Sequence, residues 1–238
     1  MILNVPKIEQ VDNECGPTVA AQVLTYFNIP FVMEDIISFS SNSYKFRDWD
    51  YLIAQYLNKK GLETNVVTFQ NSIFDPTWQG LDNTSLLEKM KLELEFFYSD
   101  SPRLQHKGFL AWHNLGPEIS ELEEAIKYLE MGGQISLKPI STKDIIDEIK
   151  KGNPIICAYD AILLHGMKRG FMGKPDDIKG VPMGHVAVIS GFDKDNFVLV
   201  DPSYWYKKGE SYLINKDRLI NSIILRNSQY IVCKKNNH

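Results

Sequence analysis

Cysteine is scarce in this chain of 238 residues: Cys15, Cys157 and Cys233 are the only three, widely spaced and with no CxxC pair. An odd number at such spacing excludes a disulfide framework and the usual zinc-site pattern. Long apolar runs are also missing. No stretch approaches 18 consecutive apolar residues, so no membrane-spanning helix is expected. The opening MILNVPKIEQVDNE lacks a charged segment followed by an apolar core and does not read as a signal peptide. There is no long basic run and the net charge is −4, which removes the electrostatic case for nucleic acid or an anionic membrane as main partner. Together these absences set the expectation of a cytoplasmic protein with reduced thiols. What is present is ordinary for a globular chain, 44% hydrophobic and 24% charged residues, in a length ample for a buried core.

Helical patterns dominate the first part and strand patterns the last. In ECGPTVAAQVLTYF, apolar residues recur at Val19, Ala20, Val23, Leu24 and Phe27, one face of a helix of period 3.6. Pro17 suits its first turn, where a backbone N–H has no partner to lose. PFVMEDIISFS and DWDYLIAQYLNKKG read as further helices, the second starting near Asp48 or Asp50 and stopped by Gly61, and ETNVVTF reads as a strand. Asn83–Tyr98 and Glu118–Gly133 are helical in pattern, and residues 71–133 are expected to form an insertion or lid-like helical subregion of a single 1–238 domain. After QISLKPI comes STKDIIDEIKKGNP, with Ser141 or Thr142 to cap its start, Asp144 in the first turn, Lys150 and Lys151 in the last and Gly152 to end it. PIICAYD is a continuously apolar, central strand, and GHVAVISGF, NFVLVDP and QYIVCKK complete a β-rich C-terminal part. Helices first and mostly antiparallel strands afterwards predict an α+β fold.

The chemistry gathers around Cys15. It stands at the start of the first helix, where a thiolate feels the positive end of the helix dipole. A cysteine nucleophile also needs a base, a group to orient that base and donors for a developing oxyanion. The Cys15 N–H and the side-chain amide of Gln10, five residues upstream, are candidates for the donors. Of the five histidines, His238 lies in a polar tail, His106 in a polar loop, His113 in an ambiguous stretch and His165 after the buried strand. His185 opens the strand HVAVISGF directly after a glycine, a rigid place for an imidazole. Asp201, in VLVDPS, ends the partner strand. Alternation along strands puts His185 and Asp201 on one face only if paired residue numbers sum to an even value. A three-residue loop, Asp193–Asp195, meets that condition, with Ala187 facing Asp201 and His185 one diagonal away.

Gln10, ECGPT at a helix start, GHVAVISGF and NFVLVDPS together resemble the C39-like branch of papain-like cysteine peptidases. The resemblance implies a papain-like C39-type fold, with an N-terminal helical lobe and a C-terminal antiparallel sheet. It implies Cys15 as nucleophile, His185 as base, Asp201 as its orienter and Gln10 as the oxyanion-hole residue, with no cofactor and no metal. The expected partner is a peptide or protein substrate, including Gly-Gly peptides, which relatives process while exporting them. This chain has no P-loop and no spanning segment to couple it to export. The same acyl-enzyme chemistry serves an acyltransferase, and a catalytically silent peptide-binding pseudoenzyme is the third reading. Met131–Gly133 reads as a helix stop rather than an internal cleavage site. Cys157 and Cys233 read as inert core residues, and Tyr204 and Trp205 either wall the cleft or join the core.

Overall fold

The computed structural model describes residues 1–12, 14–41, 49–99, 115–203 and 211–236. Tyr204, Trp205, His106, His113, His238 and Asp48, named above, lie outside the described residues. The chain forms α1 (Cys15–Tyr26), α2 (Met33–Ser41), α3 (Trp49–Lys59) and β1 (Leu62–Thr68). Next come α4 (Asn83–Tyr98), α5 (Leu115–Glu130), β2 (Gln134–Leu137), α6 (Thr142–Lys150), β3 (Ile155–Asp160) and the short α7 (Ala161–His165). The small hairpin β4 (Gly170–Phe171) and β5 (Lys174–Pro175) precedes β6 (Gly184–Phe192), β7 (Asn196–Val200), β8 (Tyr212–Asn215), α8 (Lys216–Arg226) and β9 (Gln229–Lys235). Among the described residues no helix is long and apolar enough to cross a membrane.

Helix α1 is central. Its residues 16–24 are all buried, including Thr18 and Gln22, so burial extends beyond the apolar stripe that the sequence marks. A helix enclosed on all sides cannot leave Gln22 unpaired without cost, and its Nε2 donates to the Ile8 carbonyl at 3.2 Å. Helix α6 ends as its sequence signals imply: the Ser141 hydroxyl accepts from the Asp144 N–H, and Gly152 follows with φ +88°.

Seven strands form one sheet in the order β2-β1-β9-β3-β6-β7-β8. β1 and β2 are parallel, and every other neighbouring pair is antiparallel. The antiparallel part is mainly C-terminal, but β1 from the first third of the chain sits beside β9, so the sheet is mixed. β3 is buried along its whole length between β9 and β6, which accounts for its unbroken apolar sequence. Cys157 and Cys233 lie in β3 and β9 and are fully buried.

Part of 71–133 is woven into the core. Leu122, Ala125 and Tyr128 of α5 are inaccessible to solvent. The Tyr128 hydroxyl donates to the Thr64 carbonyl at 2.7 Å in β1, and the Tyr128 and Tyr51 rings lie 6.0 Å apart. α5 stops at Met131–Gly133: Gly132 has φ +83°, and the Gly133 N–H returns to the Tyr128 carbonyl.

The β6–β7 hairpin carries one correction. Phe192 pairs with Phe197, so four residues lie between them instead of the three expected. An even loop alone would set His185 and Asp201 on opposite faces. A bulge at Ser190 supplies the missing residue, and beyond it Ile189 pairs with Leu199 and Val188 with Val200. Continuing that register places Ala187 opposite Asp201 and His185 one diagonal away. The turn is held by the Asp193 carboxylate, which accepts from the Asp195 and Asn196 N–H groups at 2.9 and 2.6 Å. The N-terminal segment covers the bulge: the Leu3 N–H donates to the Ser190 carbonyl at 2.7 Å and the Phe192 N–H to the Met1 carbonyl at 3.0 Å.

Candidate active site

Cys15 is the first residue of α1 and is half-buried. The N-cap position belongs to Glu14, whose side chain makes no capping bond, and no acidic residue occupies the first turn. Pro17 has no N–H, so Cys15 and Gly16 supply the N–H groups of this helix end that have no partner within the helix. No carboxylate in the first turn offsets the dipole beside the thiol.

His185, the second residue of β6, is only 7% exposed. Its Nε2 lies 2.7 Å from Asp201 Oδ1, and the Cys15 side chain is near enough to act on the ring through hydrogen bonding and charge. With Nε2 engaged by Asp201, Nδ1 is the ring nitrogen left for the thiol. Burial acts to lower the pKa of the ring, but the hydrogen bonds and charges of Asp201 and Cys15 outweigh it and raise the value to about 9. The structure therefore favours an imidazolium in contact with a cysteine at neutral pH.

Asp201 is 4% exposed, and burial alone would push its pKa up. The net shift is downward, because His185, Tyr159 and the Ser203 N–H donate to the ionised form. Oδ1 receives His185 and the Ser203 N–H at 2.8 Å. Oδ2 receives the hydroxyls of Tyr159 at 2.6 Å and Tyr212 at 2.9 Å. Four donors for four lone-pair positions satisfy this buried charge.

Gln10 lies on the chain leading into α1. Its backbone N–H donates to the carbonyl of Pro202, the residue after Asp201, at 3.0 Å. Its Nε2 donates to the Asp12 carbonyl at 2.7 Å, across a turn in which Asp12 has φ +51°. That contact uses one of the two N–H bonds of the amide and fixes its plane.

The structure thus bonds His185 to Asp201, places Cys15 near the His185 ring, and ties Gln10 to the residue beside Asp201. Tyr159, Tyr212 and the Ser203 N–H escape the sequence reading. Tyr159 pairs directly with His185 across β3 and β6, and their rings meet edge-on at 5.6 Å. Strand order, which sequence does not display, is what makes them neighbours. No group of three or more His, Cys, Asp or Glu side chains among the described residues is placed to hold a metal.

Residues 2–222 match the family model described as the Peptidase_C39 like family. No curated protein matches the chain. Solved structures that match include the peptidase domain of Streptococcus ComA, a bi-functional ABC transporter involved in a quorum-sensing pathway. It is 13% identical, with a TM-score of 0.45 over 98% of this chain and 100% of that one. A putative C39-like peptidase from Bacillus anthracis is 16% identical, TM-score 0.45, covering 100% and 98%. A double glycine motif protease from an AMS/PCAT transporter, in complex with the leader peptide, is 13% identical, TM-score 0.45, covering 99% and 94%.

Proposed function

The chain belongs to the Peptidase_C39 like family, and from that premise we propose that it is a cysteine peptidase, or peptidase-like amide hydrolase, built on Cys15, His185, Asp201 and Gln10. One observation carries the reading: a buried histidine bonded to a carboxylate, with a half-buried cysteine at a helix start acting on the same ring. Residues 1–238 are read as one peptidase domain in which 71–133 forms a helical subregion.

The Cys15 thiolate, paired with the His185 imidazolium, attacks the carbonyl carbon of a substrate amide. The electron pair of the C=O bond moves to oxygen, where the Cys15 N–H and the second N–H of Gln10 stabilise it. Collapse breaks the C–N bond, and His185 Nδ1 gives its proton to the leaving amine. A thioester on Cys15 remains. His185, now neutral, takes a proton from water as the water attacks the thioester. The acid leaves, and thiolate and imidazolium are restored. Asp201 holds the ring throughout by accepting from Nε2.

The test is turnover of Gly-Gly-containing peptides, the substrates the family resemblance suggests, with mass detection of the products. Cys15→Ala abolishes cleavage while leaving the thermal unfolding transition in place. Gln10→Ala lowers kcat by about 100-fold, the usual loss for one oxyanion donor. Cleavage that persists in Cys15→Ala contradicts the proposal.

A further inference from the structure

We infer that Tyr159 and Tyr212 are positioning residues, clamping one oxygen of Asp201 from the two flanking strands so that the other stays aimed at the His185 ring. The inference rests on the reading of Cys15 and His185 as a reactive pair and extends the working site to β3 and β8.

The need for a clamp follows from where Asp201 stands. It is the first residue beyond β7, whose ladder with β6 has its last pair at Val200. Backbone pairing therefore no longer fixes its side chain. A carboxylate can rotate about its last bond and turn its plane, and with it both acceptor oxygens, away from a histidine unless other donors fix it. Here the surroundings fix it. β3 lies beside β6 and supplies Tyr159, and β8 lies beside β7 and supplies Tyr212. Both hydroxyls converge on Oδ2, at 2.6 and 2.9 Å. Oδ1 is left to His185 and the Ser203 N–H. Two hydroxyl donors on one side, with ring and backbone donors on the other, leave the carboxylate a single satisfied orientation.

The tyrosines stay protonated in this role. Burial first, and then the charge of Asp201, push the pKa of each above its ordinary value. The rest of the surroundings is part of the same network. The His165 ring of α7 lies 6.1 Å from each of the two tyrosine rings. Cys157 lies further along β3, where burial first and then the charges of Asp50 and Asp201 raise its pKa and keep it neutral. Cys15 acts on the same His185 ring.

Tyr159→Phe, Tyr212→Phe and the double variant remove one or both hydroxyls and keep the rings. In each the His185 pKa is followed by NMR of the ring nitrogens, Cys15 labelling by iodoacetamide at pH 7, and thermal unfolding. Without its clamp the carboxylate turns toward other donors, and the imidazolium loses its partner. The His185 pKa then falls from about 9 to below about 8 in the folded double variant. Labelling slows by about tenfold, because the pair is no longer held in line. Single variants fall between. A lower unfolding temperature with the His185 pKa unchanged, or raised, in the folded variants assigns the hydroxyls a structural role only and overturns the inference. If the double variant does not fold, the single variants, each lacking one oxygen atom, decide between the same two outcomes. Failure of the underlying reading looks different: wild-type Cys15 labelling then shows no dependence on His185, whatever the tyrosine variants do.

Discussion

His185 couples the candidate site to folding, and the coupling has a sign and a size. Its pKa rises from the ordinary 6.5 to about 9 in the folded chain. That rise corresponds to about 3 kcal/mol. At 7% exposure the ring is largely shielded from solvent screening. A pKa raised on folding means that the native state binds the proton more tightly. The stabilisation is thus fully present below pH 6.5 and is lost as pH rises through about 9. The Asp201 pKa is lowered, so its own contribution is present above the ordinary value of 3.8 and lost as pH falls below it, outside this window. The perturbation is His185→Gln, compared with wild type by urea unfolding from pH 6 to pH 10. Subtracting the variant removes the titration of surface groups common to both. The stability advantage of the wild type should shrink by about 3 kcal/mol across the range, with Asp201→Asn losing most of the same pH dependence. An advantage that stays constant with pH refutes the reasoning, because it means that His185 is not held protonated by its neighbours.

Two further outcomes test the frame around the site. A Cβ at Gly133 would overlap the buried Tyr128 ring, whose hydroxyl is anchored to Thr64, so Gly133→Ala should cost about 1–3 kcal/mol of overpacking by urea unfolding. Asp50 is buried at the start of α3 and accepts from Asn227 Nδ2 at 2.6 Å and Gln229 Nε2 at 2.5 Å. Asp50→Ala strands both donors and should cost about 2–4 kcal/mol in the same assay, whereas Asp50→Asn, which keeps an acceptor oxygen, should cost less.

What could be read in advance depended on how local the determining physics is. The start of α1 is legible because Pro17, the apolar period and the Cys-Gly-Pro triplet act within a few residues. The end of α6 is legible for the same reason, through Ser141, Asp144 and Gly152. The shared face of His185 and Asp201 is legible as strand parity, but the device that produces it is not. Parity points to a three-residue loop, and the chain uses four residues with a bulge at Ser190. Nothing in GHVAVISGF marks that bulge, which is covered by Met1–Leu3 from the far end of the sequence. The parallel pairing of β1 with β2 and its place beside β9 join segments far apart in the chain, as do the tyrosines on Asp201. Such neighbours follow from strand order, and no spacing in the sequence encodes it.

The most direct test of the reactive pair is the rate of Cys15 alkylation by iodoacetamide, read by peptide mass from pH 5 to pH 9 in wild type and in His185→Ala. Cys157 and Cys233 are fully buried and serve as internal controls. At pH 6 Cys15 should label faster than a free-cysteine peptide, because an adjacent imidazolium activates a cysteine sulfur as a nucleophile, and His185→Ala should slow this by at least about tenfold. Labelling of Cys15 that is no faster than that of the peptide, or that His185→Ala leaves unchanged, contradicts the pairing of Cys15 with His185.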